Sequence, residues 1–244
     1  MILNVDKFPR LRVFEQVEPA LAPLSRDVVL GAQTACFTGQ RLCGRIIYNM
    51  EPLYPGCRPF ECGYLDILAN NVVLDYSAQN VEFLRQLGVD AFHLPYGVHP
   101  ALVNIPHQSK SIDVLFVGSA GSRRSTIVQG LQRRYNVVWA QDIFGQQLLN
   151  LLAMARVHLN IHWMEGTQLE VVRLNHLLAN GLTVVTEPGC EPDVNAQYWE
   201  HCVMTEDIEA GVGYALENPQ PVDVAGLPKM DCTAADEWLR AKGY

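Results

Sequence analysis

Short apolar runs alternate with amphipathic stretches along most of this chain, and that alternation constrains the fold more than any other feature. Runs of strand character fall at 27–30, 45–48, 71–74 and 91–94, and again at 112–117, 136–139, 157–161, 182–186 and 202–204. Helical patterns separate them at 78–87, 125–134, 145–155, 169–179 and 206–217. Strand and helix in turn predict α/β architecture, with parallel sheets covered by helices on both faces. Each later strand is apolar throughout rather than alternating, the pattern of a strand buried on both sides. The stretch LPYGVHPALVNIPHQSKSID interrupts the alternation with three prolines, a glycine and several polar residues, which places a linker near 96–111. A further helical stretch, 231–243, follows the proline-rich NPQPVDVAGLP. The chain therefore reads as two small α/β units, the first with little sequence for a full doubly wound domain and so expected to be trimmed.

Composition narrows the class. Of 244 residues, 49% are hydrophobic and 18% charged, enough apolar material for a sizeable core and too much for a disordered chain. No apolar run approaches the roughly 20 residues that cross a bilayer. The opening MILNVDKFPRLRVFEQ lacks the basic-then-apolar order of a secretory signal, so a cytoplasmic location is expected. A net charge of -8 argues against nucleic acid as a routine partner, because phosphate contacts call for a basic surface. A local basic groove is still compatible with one. Arg123, Arg124, Arg133 and Arg134 form such a local patch, although helical spacing separates its two halves. The cysteines, at 36, 43, 57, 62, 190, 202 and 232, show no CxxC or paired ligand spacing. Buried or free thiols and no metal site are expected.

Ligands of doubly wound sheets bind where strands end at their carboxyl side. The first such loop of the later unit is Gly118-Ser119-Ala120-Gly121-Ser122-Arg123-Arg124. Small residues there let the backbone approach a phosphate, and the amides of the following helix point at it. Arg123 and Arg124 add fixed charge suited to a diphosphate. Neither GxGxxG nor a Walker lysine is present, and an ordinary tight turn with solvated arginines has the same composition. The richer region is 155–189. One strand leads to Asn160, His162 and Glu165, a helix carries Glu170, Arg173 and Asn175, and the next strand ends at Glu187. Glu170 and Arg173, three apart, are set to pair on a helix. A carboxylate there takes sugar hydroxyls and a guanidinium takes phosphate oxygens. Alone, such a pair is an ordinary surface contact, and a lone histidine is more often part of a core or rim. The functional reading rests on the convergence of these residues on one side of the sheet.

DVLFVGS followed by two arginines, with LNIHW and LEVVRLNHLLANGLTVVTE, resembles the group 1 type glycosyltransferases, most nearly their spore-maturation-protein-like branch. IIYNMEPL, residues 46–53, is similar to that branch's Tyr-Asn-Leu-Glu-Gln segment, and VLDYSAQNVEFLRQLGV, residues 73–89, to its Asp-Tyr-Ser-x-x-Asn segment. LPYGVHP is similar to the linker that follows, so the resemblance runs over about residues 45–190.

The resemblance implies a GT-B-like fold, two Rossmann-like domains facing a central cleft. Residues 1–100 would form the acceptor side, 108–228 the nucleotide-sugar-binding domain, and 229–244 a helix crossing back to the first. It implies a nucleotide-diphosphate sugar as donor, a hydroxyl acceptor, and no bound cofactor or metal. Donor contacts would come from Gly118, Ser119, Arg123, Arg124, Asn160, His162, Glu165, Glu170, Arg173, Asn175 and Glu187. The broad superfamily carries two glutamates separated by seven residues. Here Asn175 or His176 takes the second place, so the ribose contact would be uncharged. Tyr48, Asn49, Tyr76 and Asn80 would lie on the acceptor side. Glu51, Asp75 and His162 are the candidates for the catalytic base. Glu51 could equally cap a turn before Pro52, and Asp75 the helix beginning near Ser77. Two other functions fit the same residues: a nucleotide- or sugar-binding protein without turnover, and a transferase acting on modified nucleic acid.

Overall fold

All nine strands expected from the apolar runs form, and every pairing between them is parallel. The computed structural model describes residues 1–53, 62–219 and 221–244. Of the cysteines, Cys57 lies outside the described residues, and the other six are free thiols. The chain divides into two compact units, Met1–Tyr96 with Lys229–Tyr244, and Gly97–Pro228.

The first unit holds β1 (Val28–Val29), α1 (Ala35–Thr38), β2 (Ile46–Asn49), α2 (Tyr64–Ala69), β3 (Val72–Asp75), α3 (Ala78–Gln86) and β4 (Ala91–His93). Its sheet runs β1-β2-β3-β4, and Ile2 adds an isolated parallel bridge to Leu30. Ile47, Leu68, Val73 and Leu84 are wholly buried in its core. Ahead of β1, 3-10 helices at Pro9–Gln16 and Glu18–Leu24 bury Leu11, Phe14, Leu21 and Leu24. Pro19 and Pro23 lack the amide hydrogens that one continuous α-helical ladder over both segments would need. The cap of α3 is Ser77, whose side chain accepts from the Asn80 amide. Asp75 stands one step back and accepts from the Ser77 amide at 2.9 Å, so the capping role considered for Asp75 belongs to Ser77.

The second unit holds β5 (Ile112–Val117), α4 (Ser122–Gln132), β6 (Val137–Ala140), α5 (Gly145–Met154), β7 (Ala155–Asn160), α6 (Val171–Ala179), β8 (Val184–Thr186), α7 (Pro192–Ala196), β9 (Val203–Met204) and α8 (Ile208–Glu217). Its sheet runs β6-β5-β7-β8-β9. The strand order reverses at β5, so the crevice between the carboxyl ends of β5 and β7 is the topological switch point. Val114, Phe116, Val157, Leu159 and Val185 fill the core. β6 is only half-buried, because it is an edge strand. This corrects the expectation that every strand of this unit is covered on both sides.

The last helix, α9 (Thr233–Ala241), packs on the first unit. Ala235 and Leu239 are fully buried, Trp238 stacks against Phe92, and Asp236 and Lys242 reach Arg26 and Asp90. No helix among the described residues is long and apolar enough to cross a membrane.

Candidate functional site

In the second unit three loops meet at the switch point. Gly118–Gly121 leaves β5, residues 161–170 leave β7, and Glu187–Gly189 leaves β8. Arg124, in the first turn of α4, is nearly enclosed. Its guanidinium donates to the Ile161 carbonyl through Nε at 3.0 Å and Nη2 at 2.7 Å, and Nη1 reaches the Ser119 carbonyl at 3.4 Å. It also pairs with Glu170 at 3.0 Å and lies 5.3 Å from the rings of Phe116 and Trp163. Burial pulls its pKa down, and the Glu170 carboxylate opposes that. One arginine thus ties the β5 loop to the β7 loop.

Arg123 makes a forked contact with the buried Glu187, donating to both carboxylate oxygens, and donates to the His162 carbonyl at 3.2 Å. Its Nε approaches the exposed Glu165 at 3.4 Å. These carboxylates hold the guanidinium above its ordinary pKa, the Glu187 hydrogen bond foremost. Glu187 also accepts from the His162 amide at 2.7 Å. The His162 ring is buried, with Nε2 against the Pro188 carbonyl at 3.2 Å and Nδ1 without a hydrogen-bond partner among the described residues. Arg173 donates to Asn160 Oδ1 at 3.2 Å and pairs with Glu170 at 3.0 Å. Glu170 stands at the cap position of α6, so the two share the helix start as the spacing implies. Three arginines face three glutamates here, a formally neutral cluster. The loop after β8 is fitted closely: a Cβ on Gly189 would lie 2.4 Å from the Leu169 amide nitrogen, so only glycine fits.

Asn175 meets Tyr198. It is fully buried, and its Oδ1 accepts from the Tyr198 hydroxyl at 3.0 Å. Gly118 is packed against the Phe116 ring. Ser119 enters through its backbone carbonyl.

The first unit carries a second polar cluster at the carboxyl ends of β1, β2 and β3. Asp75 is wholly buried. It accepts from Asn49 Nδ2 at 2.7 Å, Asn80 Nδ2 at 3.0 Å and the Ser77 amide. Asn49 Oδ1 accepts from the Glu51 amide and the Tyr64 hydroxyl. Asn80 Oδ1 accepts from the Leu53 amide, and its Nδ2 donates to the Glu51 carbonyl. This network holds the backbone that carries Glu51. The Glu51 carboxyl accepts from Gln33 Nε2 at 2.6 Å. Burial pushes it from its ordinary 4.5 up to about 7, against the pull of Gln33. Tyr48 is buried with its hydroxyl on the Leu94 carbonyl at 2.9 Å, while Tyr76 is half-buried.

The structure thus joins Arg123, Arg124, Asn160, His162, Glu165, Glu170, Arg173 and Glu187 into one bonded group, and Asn49, Glu51, Asp75 and Asn80 into another. Gln33 and Thr186 were not read from the sequence. Thr186 accepts from Asn160 at 3.0 Å. Both follow or close apolar strands, the signal that could have found them. Among the described residues no group of three or more His, Cys, Asp or Glu is arranged to hold a metal ion.

No known family's profile matches the chain. Over 122 residues it is 29% identical to an uncharacterised protein of Acanthamoeba polyphaga mimivirus, a match that takes in 49% of this chain and 42% of that protein. The matched region thus spans less than half the length of that relative. Among solved structures, the chain superposes on a sucrose-phosphate synthase from Thermosynechococcus elongatus with a TM-score of 0.50 at 13% identity, covering 98% of this chain and 74% of that one. The fold is GT-B-like. AviGT4, a glycosyltransferase of avilamycin A biosynthesis, superposes at a TM-score of 0.47 and 15% identity, covering 88% and 82% of the two chains.

Proposed function

We propose that this chain is a glycosyltransferase of the spore-maturation-protein-like branch, taking its sugar from a nucleotide-diphosphate donor and passing it to a hydroxyl acceptor. The observation that carries this reading is the convergence of Arg123, Arg124 and Arg173 with Glu165, Glu170 and Glu187 on the carboxyl ends of β5, β7 and β8. Transfer breaks an anomeric bond to a diphosphate. Guanidiniums and the amides at the start of α4 meet the charge that develops on the leaving group. The carboxylates that pair with them take sugar hydroxyls. Glu51 is the candidate base for the acceptor hydroxyl, since a carboxyl titrating near 7 is matched to proton transfer at neutral pH. Asp75, enclosed and already accepting three hydrogen bonds, orients Asn49 and Asn80 instead.

Arg173→Ala tests the donor side. Loss of a charge-assisted hydrogen bond is worth about 1.5–3 kcal/mol, so a nucleoside diphosphate is expected to bind roughly tenfold to a hundredfold more weakly while the nucleoside is little affected. Calorimetric titration of both ligands decides it, and equal losses would assign Arg173 to the fold. One observation favours a second reading, a nucleotide- or sugar-binding protein without turnover: each of the three guanidiniums is already paired with a carboxylate. Hydrolysis of the donor by the full chain separates the two.

A further inference from the structure

We propose that Gln33 is the positioning residue of Glu51, holding its carboxyl in place at the carboxyl edge of the first unit's sheet; the inference rests on the reading of Glu51 as the acceptor-side base. Gln33 follows β1, Glu51 follows β2 and Asp75 closes β3, and these strands are consecutive neighbours in the sheet. The amide of Gln33 crosses from one loop to the next and donates to Glu51 Oε1 at 2.6 Å. Among the described residues it is the hydrogen-bond partner of that carboxyl.

Local structure delivers Gln33 to this spot. Gly31 turns the chain with a φ of +73°, and a Cβ there would meet Leu11 Cδ1 at 2.9 Å. The 3-10 turn Ala32–Thr34 that follows is pinned at both ends. Thr34 Oγ1 donates to the Gly31 carbonyl at 2.7 Å and accepts from Asn4 Nδ2 at 3.1 Å. On the opposite side Asn49 and Asn80 hold the Glu51 main chain. The backbone of each partner is fixed, so the bond between their side chains is held in a narrow geometry.

The consequence is electrostatic. Burial disfavours the carboxylate, and a donor on its oxygen favours it. Among the described residues, the titratable groups that act with Glu51 on Tyr64, at the start of α2, are Cys36 from α1, Cys62 ahead of α2 and Asp75 from β3. Burial holds the Tyr64 hydroxyl well above its ordinary range and pushes the Cys36 thiol up to about 12, so neither competes for protons near neutrality. Gln33 is then the neighbour that keeps Glu51 available as a base at neutral pH.

Titration of the full-length protein labelled with carbon-13 at the glutamate carboxyls tests this, with the Glu51 resonance assigned by its absence in Glu51→Gln. Gln33→Met keeps the length of the side chain and removes the donor. The Glu51 midpoint is expected to rise by about one to two pH units, the worth of a hydrogen bond to a charged group. The acidic limb of the turnover profile is expected to move with it. An unmoved midpoint in a folded Gln33→Met protein would overturn the proposal. Gln33→Glu is the second arm. Two carboxyls at hydrogen-bonding distance share one proton and titrate in two steps. A single unshifted step for Glu51 overturns the proposal equally. The two readings fail separately: a shifted midpoint with full turnover in Glu51→Gln keeps Gln33 as the partner of Glu51 and removes the base role.

Discussion

Two carboxylates of the first unit look alike in the sequence and differ sharply in the structure. Asp75 is wholly enclosed and its oxygens are engaged, whereas Glu51 is half-buried and, among the described residues, faces one donor. Glu51→Gln is therefore expected to fold normally and to lower transfer by about two to four orders of magnitude, the usual worth of a positioned base. Asp75→Asn introduces an amide where three donors converge, leaving one without an acceptor, and is expected to cost about 1–3 kcal/mol of stability. Turnover per folded molecule, set beside a denaturation curve for each variant, checks both. Full activity in Glu51→Gln would move the search for a base to His162, whose Nδ1 is buried without a partner among the described residues. Arg124 shows the limit of reading charge from a loop. Its loop suggested either a phosphate ligand or a solvated arginine, and the guanidinium is buried against the Ile161 and Ser119 carbonyls and Glu170. Those partners lie far along the chain, and no local pattern names them.

Elements were more legible than contacts. Parallel strands covered by helices are continuous apolar runs, and such runs are visible without any knowledge of their neighbours. The 3-10 segments Pro9–Gln16 and Glu18–Leu24 escaped notice because Pro19 and Pro23 break up the stretch and neither carries a sustained helical stripe. α2 and α7 escaped for a different reason: six and five residues are too few to show a period. The strand-end rule located both polar clusters, but the sequence could not say which loop rests on which. The turn after β8 is a case. Asn195 brackets Gly189, accepting from its amide at 2.8 Å and donating to its carbonyl at 2.7 Å, while Leu169 closes the other side. Gly189→Ala must push the β7–α6 loop outward against backbone, and overpacking of this kind costs about 1–3 kcal/mol. Loss of stability together with weakened diphosphate binding is expected; calorimetry and a melting curve of that variant that match the parent chain would show that the loop can give way.

At the scale of the whole molecule the units answer acid in opposite senses. Glu51 in the first is pushed up from 4.5 to about 7, so the folded state holds its proton more tightly than the unfolded chain does. That contribution is present below pH 4.5 and is lost as pH rises through about 7. His158 and His176 in the second are pushed down by burial from 6.5 to about 4. Their contribution is complete above pH 6.5 and is lost as pH falls through about 4. Between pH 4.5 and 6.5 the two histidines outweigh the one glutamate, so stability is expected to rise with pH, and Glu51→Gln is expected to steepen that rise in a denaturation series; a slope unchanged by the substitution would assign the dependence elsewhere. The path of the chain matters in another way. The first unit is written in two pieces, Met1–Tyr96 and Lys229–Tyr244, with all of the second between them. During synthesis the second unit is complete as a continuous segment before α9 leaves the ribosome, while the unit begun first waits for its last helix. Until then the surface that Ala235 and Leu239 cover stands open, and a nascent chain with such a surface is one that chaperones hold.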